Sequence, residues 1–300
     1  MISDNYGRVV TGLRISITRR CNLNCIYCHE EGENGLSRNE ISQSTIERTV
    51  TAATYLGVNK VKFSGGEPLM RHDLEDIIGS LPDLKDISAT TNGVLLKKRA
   101  AKLANSGLDR INISLPSMDM DHYGRITGYP TALPYVLEGI DAAVDAGLTP
   151  VKLNMVLLKS LNDSKIDDII RFAGKYNGHV ILQLIELMNF KNLGHYKVDI
   201  NGVEKMLEIR ASEIKERRMH RRKKYFIDGV EVELVRPLDN SNFCGNCNRL
   251  RITSTGQLKP CLMRNDNLID IPENATVDEL KKLLETVVEK REPYYKDCSK

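Results

Sequence analysis

The chain has 300 residues, of which 41% are hydrophobic, 28% charged and 5% aromatic, with a mean hydropathy of -0.32, a composition that fits a globular protein. No apolar run approaches the roughly 18 residues of a membrane span, and the polar start Met1–Val10 carries no expectation of a signal peptide. Lys and Arg number 43 against 40 Asp and Glu, and the resulting net charge of +3 is too weak to point to nucleic acid, though it leaves room for a local anion site.

In chain order, short β-rich runs alternate with helical periodicity through the first two thirds. Strands are predicted at Gly12–Thr18, Val58–Ser64, Asp86–Thr91, Arg110–Leu115, Pro150–Leu157 and Val180–Leu187. Between them, apolar residues recur at helical spacing in Ser44–Leu56, Asp73–Leu81, Leu95–Ser106, Ala132–Ala146 and Ser164–Tyr176. Gly57, Gly107 and Gly147 fall just past three of these helices, where a C-terminal glycine is expected. Strands joined by crossover helices make a parallel sheet. About six such units predict an α/β fold of the incomplete (β/α)6 barrel type, with its site at the C-terminal ends of the strands.

After about Phe190 the pattern changes. Ile200–Arg222 reads as one helix of rising charge, and Lys215–Lys224, with seven Lys or Arg in ten residues, as its solvated basic end rather than a nucleic-acid or membrane patch. Tyr225–Val235 alternates like a hairpin strand, and Val277–Glu289 is an amphipathic terminal helix. The expected division is a partial barrel over residues 1–190 and a C-terminal α+β extension over residues 191–300.

Seven Cys stand in this chain: Cys21, Cys25 and Cys28, then Cys244, Cys247 and Cys261, and lone Cys298. Without an export signal, clustered Cys point to metal or redox chemistry rather than disulfides. Each trio is one thiolate short of a closed four-Cys site. The first, Cys21-x3-Cys25-x2-Cys28, follows the first strand and precedes Gly32 and Gly35. Zinc normally wants a fourth ligand, and a disulfide would leave a thiol over. Three thiolates suit three irons of a [4Fe–4S] cube whose fourth iron stays open to an exogenous ligand. The second trio, Cys244-x2-Cys247-x13-Cys261, fits a zinc ribbon completed by His220 or Cys298, or a second cube with an open iron. Ser64-Gly65-Gly66-Glu67-Pro68 ends the second strand, where two glycines bare the backbone to a ligand or simply make a turn. Thr90-Thr91-Asn92-Gly93 and Asn112-Ile113-Ser114-Leu115 put small polar side chains at the same rim.

Cx3CxxC with Tyr27 before its last Cys, followed by Gly-Gly-Glu-Pro at the end of the second strand, resembles the radical S-adenosylmethionine (SAM) superfamily. Further runs narrow the resemblance to its GTP 3′,8-cyclase family. They are Leu13-Arg14-Ile15-Ser16-Ile17-Thr18, Ile185-Glu186-Leu187-Met188, and Cys244-Gly-Asn-Cys247-Asn248-Arg249-Leu250-Arg251 with Cys261 after it. The likeness extends from about Tyr6 to Ile271. It implies that Cys21, Cys25 and Cys28 hold a cluster that binds SAM, with Tyr27, Gly66, Ser114 and Met188 around the SAM. It implies that Cys244, Cys247 and Cys261 hold a second [4Fe–4S] cluster, whose open iron takes guanine. Arg14, Lys62, Thr90, Lys152, Arg249 and Arg251 would bind GTP, with Arg249 and Arg251 also the catalytic pair. Charge agrees, since a triphosphate carries about four negative charges and Arg and Lys are its natural partners. Lys60, two residues before Lys62, shares its strand face.

The implied reaction is a radical cyclisation: a 5′-deoxyadenosyl radical takes the ribose 3′ hydrogen of GTP, and the carbon radical attacks C8 of guanine. The resemblance also implies a cytoplasmic homodimer that passes its product to cyclic pyranopterin monophosphate synthase, and it indicates no electron donor. Two rivals remain: a radical SAM maturase that modifies peptides with an auxiliary cluster, and a zinc-stabilised protein using Lys215–Lys224 on nucleic acid. The chain departs from the family pattern at Arg19 (commonly Asp), His29 (commonly Met), Lys62 (commonly Arg) and Gln183, where an Arg is expected on strand six. It also ends in Asp-Cys-Ser-Lys rather than Gly-Gly.

Overall fold

The structure is a computed structural model, and it describes residues 1–33, 39–188, 192–216, 222–237 and 241–293. Gly35, Phe190, His220 and Cys298 lie outside the described residues, as does the expected domain boundary at 190 and the centre of the Lys215–Lys224 run.

Strands β1 (Gly12–Ser16), β2 (Lys60–Ser64), β3 (Asp86–Thr91), β4 (Arg110–Ser114), β5 (Val151–Val156) and β6 (Val180–Ile185) pair in sequence order, every pair parallel. The helices of this half are α1 (Gln43–Tyr55), α2 (Leu74–Gly79), α3 (Ala100–Asn105), α4 (Met120–Thr127), α5 (Leu133–Asp145) and α6 (Ile166–Gly174). A period of two sorts the strand residues. Along β2, Lys-Val-Lys-Phe-Ser buries Val61 and Phe63 in the apolar core, while Lys60, Lys62 and Ser64 turn to the concave side. On β4, Arg110, Asn112 and Ser114 face that side and Ile111 and Ile113 join the core.

The remaining elements are α7 (Ile200–Arg210), β7 (Glu213–Glu216), β8 (Lys223–Ile227), β9 (Val230–Val235), α8 (Ser241–Gly245), β10 (Arg249–Ile252), β11 (Gln257–Lys259), β12 (Ile269–Asp270) and α9 (Val277–Glu289). They do not form a sheet of their own. β9 lies parallel to β6 and β10 parallel to β1, so parallel strands run β10-β1-β2-β3-β4-β5-β6-β9 in one sheet. β9 and β10 end this run without pairing with each other, and the wall stays open as an incomplete barrel. No helix among the described residues is long and apolar enough to cross a membrane.

Two expectations are corrected. The helix predicted over Ile200–Arg222 stops at Arg210, because Ala211 turns extended and Glu213–Glu216 pairs antiparallel with Lys223–Phe226 of β8. The arms of the basic run are therefore hairpin strands rather than a helix end. Lys215 meets Glu213, Lys223 meets Glu204 and Glu208, and Lys224 meets Glu231. The backbone pairing sets these residues as strands, and each of these cations then finds a neighbouring carboxylate. The helix predicted over Leu95–Ser106 breaks at Arg99, whose guanidinium donates to the carbonyls of Leu69 at 2.7 Å and Arg71 at 2.9 Å. Helix α4 carries no clear sequence signal: it is short and holds Gly124, and the Asp119 cap and left-handed Gly128 that bound it are visible only in place.

Candidate active site

The concave side of the sheet encloses a cavity of about 470 Å³, within the size range of small-molecule sites. All sixteen candidate residues line it: both cysteine trios, Tyr27, Gly66, Ser114, Met188, Arg14, Lys62, Thr90, Lys152, Arg249 and Arg251, from strand faces and strand ends of β1 to β6 and β10, from α8 and from the loop after β11. Sequence separations above 200 residues close here because β10 runs beside β1, with Arg251 as the Cα partner of Arg14 and Arg249 of Gly12.

At one rim, the loop after β1 carries the first trio. Cys28 N–H donates to the Cys25 carbonyl at 3.1 Å, closing a tight turn between the last two cysteines of the trio. Burial, with repulsion from Cys28 and Cys21, pushes the Cys25 thiol up to about 12, so it loses its proton only as a metal arrives. The Gly-Gly-Glu-Pro segment packs beneath. Gly66 N–H donates to the Thr18 carbonyl at 2.7 Å, and a Cβ on Gly66 would meet the Arg20 carbonyl oxygen and lie 2.6 Å from that of Arg19. Only glycine fits there. Glu67, 1% exposed, accepts from Thr91 Oγ1 at 2.6 Å and from Asn92 N–H at 2.6 Å. It thereby ties the end of β2 to the Thr-Thr-Asn-Gly end of β3, a role sequence reading did not assign.

Facing it, Cys247 N–H donates to the Cys244 carbonyl at 3.3 Å. Two buried arginines hold this second loop: Arg8 Nη1 donates to the Cys244 carbonyl at 3.1 Å, and Arg291 Nη2 to the Cys247 carbonyl at 2.6 Å. Both pair with buried Asp4. Burial works to raise the Cys247 thiol, but Arg249, Arg291 and Arg251 outweigh it and hold it below its ordinary value. No sequence spacing signalled Arg8 and Arg291, which come from opposite ends of the chain.

Between the rims the wall is cationic. Arg251 Nη1 meets Glu31 at 2.6 Å and Arg14 Nη1 meets it at 3.8 Å. Burial and the like charges of Arg251 and Arg249, offset by Glu31, bring Arg14 down to about 10. Burial and the neighbouring Arg14, Arg110, Lys152 and Arg249 push Lys62 well below the usual lysine range. The polar atoms Arg14 Nε, Thr90 Oγ1, Asn112 Oδ1 and Asn154 Oδ1 are buried along this wall without a hydrogen-bond partner. Such a surplus of buried cations and orphaned polar atoms is costly unless an anionic, polar ligand completes it. Glu31 was missed because its only mark in sequence is an acidic pair three residues past Cys28.

The donor set fits iron–sulfur cubes. Each trio offers three soft thiolates at the wall of a cavity that holds far more than one ion.

Comparison with known proteins agrees with this geometry. Residues 15–173 match the radical SAM superfamily, and residues 180–297 match molybdenum cofactor synthesis C. A protein of Methanosarcina acetivorans named probable GTP 3′,8-cyclase is 56% identical over 98% of this chain and 90% of its own. Proteins of the same name from Thermococcus kodakarensis and Archaeoglobus fulgidus are 47% and 45% identical, each over 99% of this chain and 100% of theirs. Among solved structures, Streptococcus suis SuiB bound to S-adenosylmethionine superposes with a TM-score of 0.63 at 18% identity, covering 93% of this chain and 66% of that one. Native anSMEcpe with AdoMet and the Cp18Cys peptide gives 0.64 at 16% identity, covering 94% and 84%. Identities this low speak for the fold alone.

Proposed function

The chain belongs to the radical SAM superfamily and to its GTP 3′,8-cyclase family, and from that premise we propose that it converts GTP to (8S)-3′,8-cyclo-7,8-dihydroguanosine 5′-triphosphate, the first step of molybdenum cofactor biosynthesis. The observation that carries the proposal is that both cysteine trios line one cavity whose wall between them is cationic. Cys21, Cys25 and Cys28 would hold the cluster that binds SAM; Cys244, Cys247 and Cys261 would hold the cluster that takes the guanine base. When bound, SAM and its cluster supply a 5′-deoxyadenosyl radical able to take the ribose 3′ hydrogen of GTP.

The chain's own residues place and shield that chemistry. The bare backbone at Gly66, with Tyr27, Ser114 and Met188, shapes the SAM end of the cavity. Arg14, Arg249 and Arg251 stand close to Cys247 and would contact GTP. Lys62 and Lys152, deeper on β2 and β5, meet the phosphates as point charges, and Thr90 Oγ1 offers a buried hydroxyl. Holding GTP with its 3′ carbon near SAM turns a bimolecular encounter into a unimolecular step, and the walled cavity keeps the radical from other C–H bonds. We read residues 1–190 as the part that handles SAM and residues 191–300 as the part that completes the substrate site. A homodimer in the cytoplasm, handing product to cyclic pyranopterin monophosphate synthase, belongs to the same reading.

The test is anaerobic incubation of the iron-loaded enzyme with SAM, a reductant and GTP deuterated at the ribose 3′ position, alongside a peptide pool. Deuterium in 5′-deoxyadenosine together with the cyclic nucleotide is the expected result. Peptide modification with GTP untouched would instead assign the chain to the maturases.

A further inference from the structure

On the β5–β6–β9 side, the cavity wall rests on a carboxylate that the proposed chemistry does not use. Glu233 of β9 is 0% exposed and is the Cα partner of Gln183 on β6. Among the described residues its oxygens meet Lys152, Gln183 and Arg222. Oε1 meets Lys152 Nζ at 3.4 Å, while Oε2 accepts from Gln183 Nε2 at 2.6 Å and meets Arg222 Nη1 at 3.4 Å. Lys152, Gln183 and Arg222 line the cavity, whereas Glu233 stands behind them. Arg222 lies close enough to Arg249 for their charges to repel, so it belongs to the same cationic wall.

A fully buried carboxylate this well supplied with donors fixes the side chains around it. Lys152 and Arg222 thus sit on one anchor, with their charged heads at the wall. Gln183, the strand-six residue between them, is neutral and can offer a phosphate no charge. Resting on GTP as the substrate, we propose that Arg222 supplies the triphosphate contact that Gln183 does not, and that Glu233 is the positioning residue aiming Arg222 and Lys152 into the cavity.

The test is anaerobic calorimetry of GTP and GMP binding to the iron-loaded enzyme, read as the ratio of the two affinities. A ratio of dissociation constants does not depend on how much of a preparation is folded. Arg222→Gln should weaken GTP by about 10- to 100-fold, the size of one charge-assisted phosphate contact, and GMP by less than about 3-fold. Arg222→Lys keeps the charge and should retain most of the wild-type ratio. Adding Gln183→Arg to Arg222→Gln should restore GTP affinity, because position 183 shares the same Glu233 oxygen. Glu233→Gln should lower the ratio through both cations at once. Equal weakening of GTP and GMP by Arg222→Gln, or no restoration by Gln183→Arg, overturns the proposal. Failure of the wild type to bind GTP at all refutes the substrate instead, whatever position 222 does.

Discussion

Glu31 is a carboxylate that meets both Arg14 and Arg251, and replacing it with Gln isolates its charge, because the two side chains have nearly the same shape. Glu31 meets Arg251 Nη1 at 2.6 Å and Arg14 Nη1 at 3.8 Å, with side chains only 11%, 12% and 18% exposed for Glu31, Arg251 and Arg14. Burial raises its pKa, but Arg14 and Arg251 outweigh it and bring the group from 4.5 to about 2. A displacement of that size favours the ionised form by about 3 kcal/mol, at the lower end of what breaking a buried ion pair costs, about 3 to 5 kcal/mol. Glu31→Gln should therefore destabilise the protein by about 3 kcal/mol, or about 5 to 10 °C in melting temperature for a chain of this size. The assay is thermal unfolding of the iron-loaded protein under argon at a fixed scan rate, with the double-mutant cycle to Arg251→Ala. The sign with pH follows from the low pKa: the stabilisation is fully present above about 4.5 and is lost only as pH falls towards 2. Between about pH 7 and 8, above the range of His29 and well below that of Arg14, both of which Glu31 holds up, the gap between wild type and Glu31→Gln should stay constant. A variant melting within about 2 °C of wild type, a gap that titrates in that window, or additive single mutants would refute the bridge.

Iron analysis should find about eight irons and no zinc in wild type, and about four after either Cys28→Ala or Cys247→Ala; loss of both clusters from one substitution, or zinc in either site, would count against two independent cubes. Gly66→Ala forces a Cβ against the carbonyl oxygens of Arg19 and Arg20. It should cost about 1 to 3 kcal/mol and cut formation of 5′-deoxyadenosine, so wild-type SAM cleavage in that variant would remove Gly66 from the SAM site. Thr276→Ala removes the capping box that joins Thr276 and Glu279 at the start of α9. It should lower stability by about 1 kcal/mol while iron content stays at the wild-type level, a split that a thermal melt and an iron assay read together.

Much of this protein is legible from its residues because the chemistry is carried by local patterns. Cys21, Cys25 and Cys28 lie within one loop, Gly65-Gly66 at one strand end, and the alternation of Lys60, Lys62 and Ser64 with Val61 and Phe63 already declares which strand face is polar. Such spacing has one geometric meaning in a loop or a strand, so six parallel strands, their order of appearance and the two cysteine trios follow from it, while the SAM and GTP contacts were what the family resemblance implied. The misreading of Lys215–Lys224 has the opposite cause. Its charges are compatible with a helix face or a hairpin, and only the pairing of β7 with β8, and then of β9 with β6, selects the strand.

What only the tertiary structure decided is which distant charges meet. That β10 docks beside β1 places Arg251 across from Arg14, with Glu31 between them. That β9 docks beside β6 puts Glu233 behind Gln183 and hands it Lys152 and Arg222. That residues near both ends of the chain converge brings Arg8 and Arg291 to the carbonyls of the second cysteine loop. None of these contacts has a period or spacing, because each joins side chains from strands or loops far apart in sequence, and their partners are set by the sheet's edges. The sequence by itself determined the donors and the polar face, since these depend on residue type and short-range geometry. The fold decided the counter-charges that position them, since those depend on where the edges of an open barrel come to rest.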